Sequence, residues 1–371
     1  MHSVMGNLRL GPMAIRYSLF VPKLYNYCLS LGFQRDRMMP SRAFCSDESQ
    51  GYPVILLAQH FGTFPFDHGR VGGKVATDRH GPHAHHGEDL VIIQASHAGF
   101  DPETRRFGFY PRPRTTNAGH GANCGKLSAV LAWYQREYEH AQENVRIGSL
   151  DGESVVIIDN ALLDTSREEG LFLHLDRVIN QAKPQPLRVF STSKVFLASQ
   201  ELRSKLPPEN WPETPRSAGD LLSADLFFFR RQPTLGPEGH DLLEESIAPA
   251  MPDLVTSPHP ALDAARYHTQ IEFDRTYRSI QREPAYRNKN LLFVSGVNID
   301  ISPRPGLLFP LTKFVPWAAY AQLRDGTTFV LEQDDLFGTL SAQSADNPDQ
   351  ISFDAAIQTM ADVEGIELPL V

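Results

Sequence analysis

Cysteine is scarce in this chain. Three residues, Cys28, Cys45 and Cys124, are spread over 371 positions. An odd number at wide spacing argues against a disulfide framework and for a reducing compartment. Basic excess is missing too: the net charge is −9, so there is no electrostatic footprint for nucleic acid. Long apolar runs are absent. None nears the ~20 residues of a membrane span, and the longest, such as "VILLA" and "LVII", are strand-sized. No repeat of fixed period occurs. Acid is missing from residues 1–35, which hold Arg9, Arg16, Lys23 and Arg35. An organelle transit peptide has that charge pattern. The stretch also carries Tyr17, Phe20, Tyr25, Tyr27 and Phe33, more aromatics than such peptides tend to hold. It is read as an N-terminal arm over residues 1–40, in a cytoplasmic protein. A cleaved arm would place the protein in an organelle such as a chloroplast or mitochondrion.

What is present is ordinary for a globular protein: 41% apolar and 21% charged residues. The length suits roughly two domains. Short runs rich in Val, Ile and Leu read as strands covered on both faces: "PVILLA" 53–58, "DLVIIQA" 89–95, "ESVVIID" 153–159, "LRVFST" 187–192 and "NLLFVSG" 290–296. Helical patterns fall between them. "KLSAVLAWYQREYEHAQE" puts Leu127, Val130, Leu131, Tyr134 and Tyr138 on one stripe. "EEGLFLHLDRVINQA" and "PALDAARYHTQIEFDRTYRSIQRE" are two more helix candidates. Strands separated by helices predict an α/β layered fold, with a largely parallel sheet and helices on both faces. The Pro-rich stretches 205–220 and 233–241 read as loops or a domain junction. No cluster of reactive residues stands out beyond about residue 200.

The chemistry gathers earlier. Cys124 lies among glycines in "GHGANCGK" 119–126, outside any apolar run and just ahead of a helix. A helix start favours the thiolate, the form that binds metal. Gly119, Gly121 and Gly125 would let the backbone come close. "FCSDE" 44–48 offers Cys45, and "IIQASHAGFD" 92–101 offers His97 past a buried strand. Together these supply S, N and S, which suits a tetrahedral zinc with a fourth position for water. The spacing is not a tight Cys-x-x-Cys pair. His120, four residues before Cys124, competes with His97.

In order, "CSDE", "FPFDHGRVGG" 64–73, His-x-Pro at 80–82, "ASHAGFD" 95–101 and "NCGKLSAVLA" 123–132 resemble the limiting-CO2-inducible B/C protein (LCIB-like) family. That family looks like a divergent group of β-type carbonic anhydrases. The match covers about residues 40–145, extending at most to 185. The resemblance implies a β-carbonic-anhydrase-like core over 41–195; it does not cover the C-terminal half, about 190–371, read as an α/β extension, 196–371, of unassigned role. It also implies a Zn2+ cofactor held by Cys45, His97 and Cys124, with Asp47 as the active-site aspartate. A homodimer is implied, with CO2 and bicarbonate as the partners of the site, and neither nucleic acid nor membrane. The β-type pattern has Arg two residues after the Asp, where this chain has Ser49. Arg70 in "DHGRVGG" is the chosen partner for Asp47, with Arg79 in reserve. Without a partner, Asp47 would bind the metal itself and close the site.

The implied activity is reversible CO2 hydration by a zinc-bound hydroxide, with Asp47 orienting it and Arg70 keeping Asp47 ionised. Two other classes stay open: a cysteine hydrolase or transferase using Cys124 as nucleophile, and a silent zinc-binding relative acting through assembly. His80, His83, His85 and His86 in "RHGPHAHHGED" read as a solvated loop, with proton export as the functional alternative. "LFFFRR" near 226–231 reads as a buried packing segment rather than a subunit interface.

Overall fold

The computed structural model describes residues 9–70, 74–75, 89–110, 124–232, 241–303 and 310–362. The chain divides into two compact units, one of residues 125–267 and one joining 3–124 to 268–371. The fold is mixed α/β, as expected.

The first segment of the discontinuous unit runs β1 Ile15–Arg16, helix Tyr17–Ser30, β2 Met38–Ala43, helix Gly51–Phe61, β3 Phe66–Asp67, β4 Gly69–Arg70, β5 Lys74–Val75, β6 Asp89–Asp101 and β7 Arg106–Phe107. The 125–267 unit opens with helix Gly125–Asn144, whose buried stripe is Leu127, Val130, Leu131, Tyr134 and Tyr138, as the periodicity predicts. Its strands are β8 Val145–Leu150, β9 Glu153–Asp159, β10 Gly170–Leu173, β11 Arg188–Val189, β12 Ser193–Leu197, β13 Arg216–Ser217 and β14 Phe227–Arg230. Five of them form an antiparallel sheet, β11-β12-β9-β8-β13, and β10 pairs with β14. Helix Pro260–Arg282 then leads back to β15 Asn290–Ile301, β16 Leu311–Gln322, β17 Thr328–Leu331 and helices Gln333–Ala342 and Phe353–Asp362.

The large sheet has the order β1-β16-β15-β6-β2-β3. Its centre, β15-β6-β2-β3, is parallel, while β16 and β1 add antiparallel neighbours. The sheet is therefore mixed, not largely parallel. Strand side chains alternate between faces. Val91, Ile93 and Ala95 of β6 join Leu292 and Val294 of β15 under Phe20, Leu24, Leu57 and Leu336. Leu90, Ile92, Leu291 and Phe293 face the other way, onto Phe273 and Ile280. Helices thus cover both faces. Each fully buried Leu, Ile or Phe here contributes about 1.5–3 kcal/mol.

Three expectations fail for physical reasons. "PVILLA" is helical, within Gly51–Phe61, where Pro53, Leu56, Leu57, His60 and Phe61 form one buried stripe. "EEGLFLHLDRVINQA" yields a strand and one helical turn, Leu175–Val178. Pairing of β10 with β14, with Phe172 stacked on Phe228 at 5.6 Å, overrides local propensity. "LRVFST" keeps only the two residues of β11 as strand. Residues 17–30 of the expected arm form a helix that is part of the core, with Phe20, Val21 and Leu24 fully buried. Among the described residues, no helix is long and apolar enough to cross a membrane.

Candidate metal centre

Residues Cys45, His97 and Cys124 come together in the discontinuous unit. Cys45 follows the end of β2, His97 sits on the central strand β6, and Cys124 immediately precedes helix Gly125–Asn144. The face-alternation of β6 puts His97 on the side of Val91, Ile93 and Ala95, beneath the N-terminal helix. One donor atom from each residue lies within 4.8 Å of the other two, and all three residues are buried. A tetrahedral zinc at ~2.3 Å from sulfur and ~2.0–2.1 Å from nitrogen needs donors roughly 3.5–3.8 Å apart. The group fits that set with small side-chain adjustments. No other cluster of this kind is found among the described residues.

The imidazole is held from behind. His97 Nδ1 lies 2.9 Å from Asp300 Oδ2, with both side chains fully buried. Asp300 accepts, so Nδ1 carries the proton and Nε2 is the nitrogen a metal would take. Ser49 Oγ donates to the same carboxylate oxygen at 2.9 Å and Gln50 Nε2 at 2.7 Å, while Thr312 Oγ1 donates to Oδ1 at 3.1 Å. The 3.3 Å approach of Gln50 Nε2 to His97 Nδ1 brings two donors together and adds no bond.

Burial alone pulls the His97 imidazole down, but hydrogen bonds to Asp300, Cys124 and Cys45 outweigh it, and its pKa is held well above the usual value. The Cys124 thiol is pushed up to about 12, first by its hydrogen bond to Cys45 and then by burial, with His97 pulling the other way. This balance works against the helix start, which favours the thiolate. It also weakens the cysteine-nucleophile reading, which needs an exposed thiol of lowered pKa. Gly125 has open space where a Cβ would go, so close approach does not require glycine there.

Asp47 caps the short turn Glu48–Gln50, accepting from the Ser49 N–H at 3.2 Å, and lies outside the donor group. Arg70 ends β4, and its side chain is outside what the structure describes. Gly69 sets the backbone beside the site: a Cβ there would meet Phe44 N at 2.9 Å and Phe44 O closer still. Arg79, Gly119, His120, Gly121 and the histidines at 80, 83, 85 and 86 lie outside the described residues.

Sequence reasoning missed Asp300, Gln50, Asn298 and Thr312, and saw Ser49 only as a departure. No cluster stands out beyond about residue 200 in the sequence, yet Asp300 from that region reaches the site. A signal was present: Ser295, Asn298 and Asp300 interrupt a strand buried along nearly its whole length. Such polar residues must find partners.

No protein-family model matches the chain, and no curated protein does. Among solved structures, PtLCIB4, a homolog of the limiting CO2-inducible protein LCIB, aligns with a TM-score of 0.50 at 11% identity, covering 90% of this chain and 99% of that one. A point mutant of PtLCIB4 gives 0.50 at 12%, covering 86% and 93%. LCIB itself aligns with a TM-score of 0.46 at 12% identity, covering 87% of this chain and 96% of that one. At such identities the likeness shows the fold alone: this chain has an LCIB-like fold. The alignment extends well past residue 185, into the C-terminal half.

Proposed function

We propose that the chain is a zinc-dependent carbonic anhydrase of β-like type, catalysing reversible hydration of CO2 to bicarbonate. One observation carries the reading: a buried Cys45–His97–Cys124 donor group whose imidazole is oriented by the Asp300 carboxylate. When bound, zinc supplies an acidified water as nucleophile, with two thiolates making that water less acidic than three histidines would.

The chain's residues do the rest. Cys45, Cys124 and His97 Nε2 bind. Asp47 orients the nucleophile by accepting its hydrogen bond, from a turn that is only partly buried. Arg70 keeps Asp47 ionised and off the metal. Support for Arg70 is positional: Gly69 packs on the backbone of Phe44, the residue before Cys45. A homodimer belongs to the same reading and is checked by light scattering on the purified chain.

The test pairs zinc content with stopped-flow CO2 hydration in wild type, Asp47→Asn and Arg70→Ala. About one zinc per chain with hydration in wild type, and hydration lost in both variants while zinc stays, supports the reading. A second reading has one observation in its favour: Ser49 stands at the arginine position and is turned to Asp300. In that reading the protein is a silent zinc binder acting through assembly, and full zinc with no hydration would select it.

A further inference from the structure

The Asp300 carboxylate ends a longer buried chain. Tyr17 OH donates to Asn298 Oδ1 at 2.7 Å, Asn298 Nδ2 to Gln50 Oε1 at 2.6 Å, and Gln50 Nε2 to Asp300 Oδ2 at 2.7 Å. Asp300 Oδ2 then takes His97 Nδ1 at 2.9 Å. Every member is buried: Tyr17, Asn298 and Asp300 fully, Gln50 and His97 to within 1%. The chain joins the first residue of helix Tyr17–Ser30, the turn before helix Gly51–Phe61, and β15 to β6.

Its direction is fixed by chemistry. Amides can flip, so their orientation must come from a group that cannot. A carboxylate only accepts, and Ser49, Thr312 and His97 already direct donors at Asp300. Gln50 must therefore show its NH2 to Asp300 and its oxygen to Asn298. Asn298 must show its NH2 to Gln50 and its oxygen to Tyr17. Tyr17 must donate. Removing the Tyr17 hydroxyl leaves the buried Asn298 oxygen without its donor and loosens the far end of the chain that holds Gln50 against Asp300.

We propose that Tyr17 and Asn298, acting through Gln50 and Asp300, are positioning residues that lock His97 with Nδ1–H turned to the carboxylate and Nε2 turned to the two cysteines. The N-terminal helix thereby sets metal affinity from a residue that touches neither ligand nor substrate. This rests on the proposed metal site. A network that only held the core together would lower the stability of the metal-free protein, yet leave zinc affinity and the cobalt spectrum of the folded chain unchanged.

The experiment measures zinc affinity by chelator competition on the full-length chain, with the visible spectrum of the cobalt-substituted protein as a second readout. Asp300→Asn is expected to weaken zinc binding about 10–100-fold, the usual effect of losing an outer partner of a metal histidine. Tyr17→Phe removes one neutral hydrogen bond and is expected to cost roughly three- to tenfold. Both are expected to shift the cobalt bands. Because Tyr17 acts through Asp300, the double variant should bind like Asp300→Asn alone. Wild-type affinity and spectrum in Tyr17→Phe, or additive losses in the double variant, would overturn the positioning chain while leaving the metal site standing. Absence of zinc binding in wild type would overturn both. Tyr17→Phe carries the test by itself if Asp300→Asn does not fold.

Discussion

Replacing Gly69 with alanine drives a methyl group into the backbone of Phe44, one residue before Cys45. The new carbon would stand 2.9 Å from Phe44 N, where ordinary contact begins near 3.4 Å, and it would be closer to Phe44 O. β4 and the Phe44 backbone must separate by at least the 0.5 Å difference between those values. Backbone atoms cannot swing aside as a side-chain tip does, so the strain falls on β4 or on the Phe44–Asp47 segment. Overpacking of this kind costs about 1–3 kcal/mol. The same shift moves Cys45 within a donor group already confined to 4.8 Å. The expected result is lower stability in urea and weaker zinc binding by chelator competition. Gly338→Ala, in helix Gln333–Ala342 with nothing near the added carbon, is the control. It should be neutral or stabilising by up to about 1 kcal/mol. Gly69→Ala with wild-type stability and zinc affinity would refute the claim that this glycine seats the Cys45 segment.

Three further outcomes are expected. Glu244→Ala removes a mostly buried carboxylate that accepts from Tyr134 OH at 2.9 Å and pairs with Arg231 at 3.0 Å; stranding the arginine should cost about 3 kcal/mol in urea unfolding, and a loss under about 1 kcal/mol would contradict the pairing. CO2 hydration should rise toward alkaline pH, because the deprotonated nucleophile grows as pH increases and two thiolates raise the pH at which it forms; a flat stopped-flow profile between mildly acidic and alkaline buffer would count against the ligand set. A fragment ending near residue 195 lacks β15, β16 and Asp300, so it should be insoluble or metal-free; a soluble, zinc-loaded fragment 1–195 would show that the C-terminal strands are dispensable.

Much of the framework is legible in the sequence. β6 and β15 read as buried strands because their Val, Ile and Leu runs do not alternate, and helices Gly125–Asn144 and Pro260–Arg282 read from their periodicity. The helix at Gly51–Phe61 is legible over its full length: positions 53, 56, 57, 60 and 61 are a helical stripe, closed by Gly62 at φ 72°. Residues 53–58 alone are only an apolar run, which suits strand or helix alike. β10 was not readable locally, since its partner β14 lies over 50 residues on. The three donors were legible as residue types able to share a metal, but their meeting is a product of topology. The Asp300 chain was least legible. Its members come from residues 17, 50, 298 and 300, and only parallel pairing of β15 with β6 brings Asn298 opposite His97.

The most direct measurement is zinc per chain by elemental analysis, on tag-free wild type beside Cys124→Ser. The account predicts about one zinc in wild type and its loss in the variant. A correctly folded wild type without zinc, or a Cys124→Ser chain that keeps it, would contradict the account.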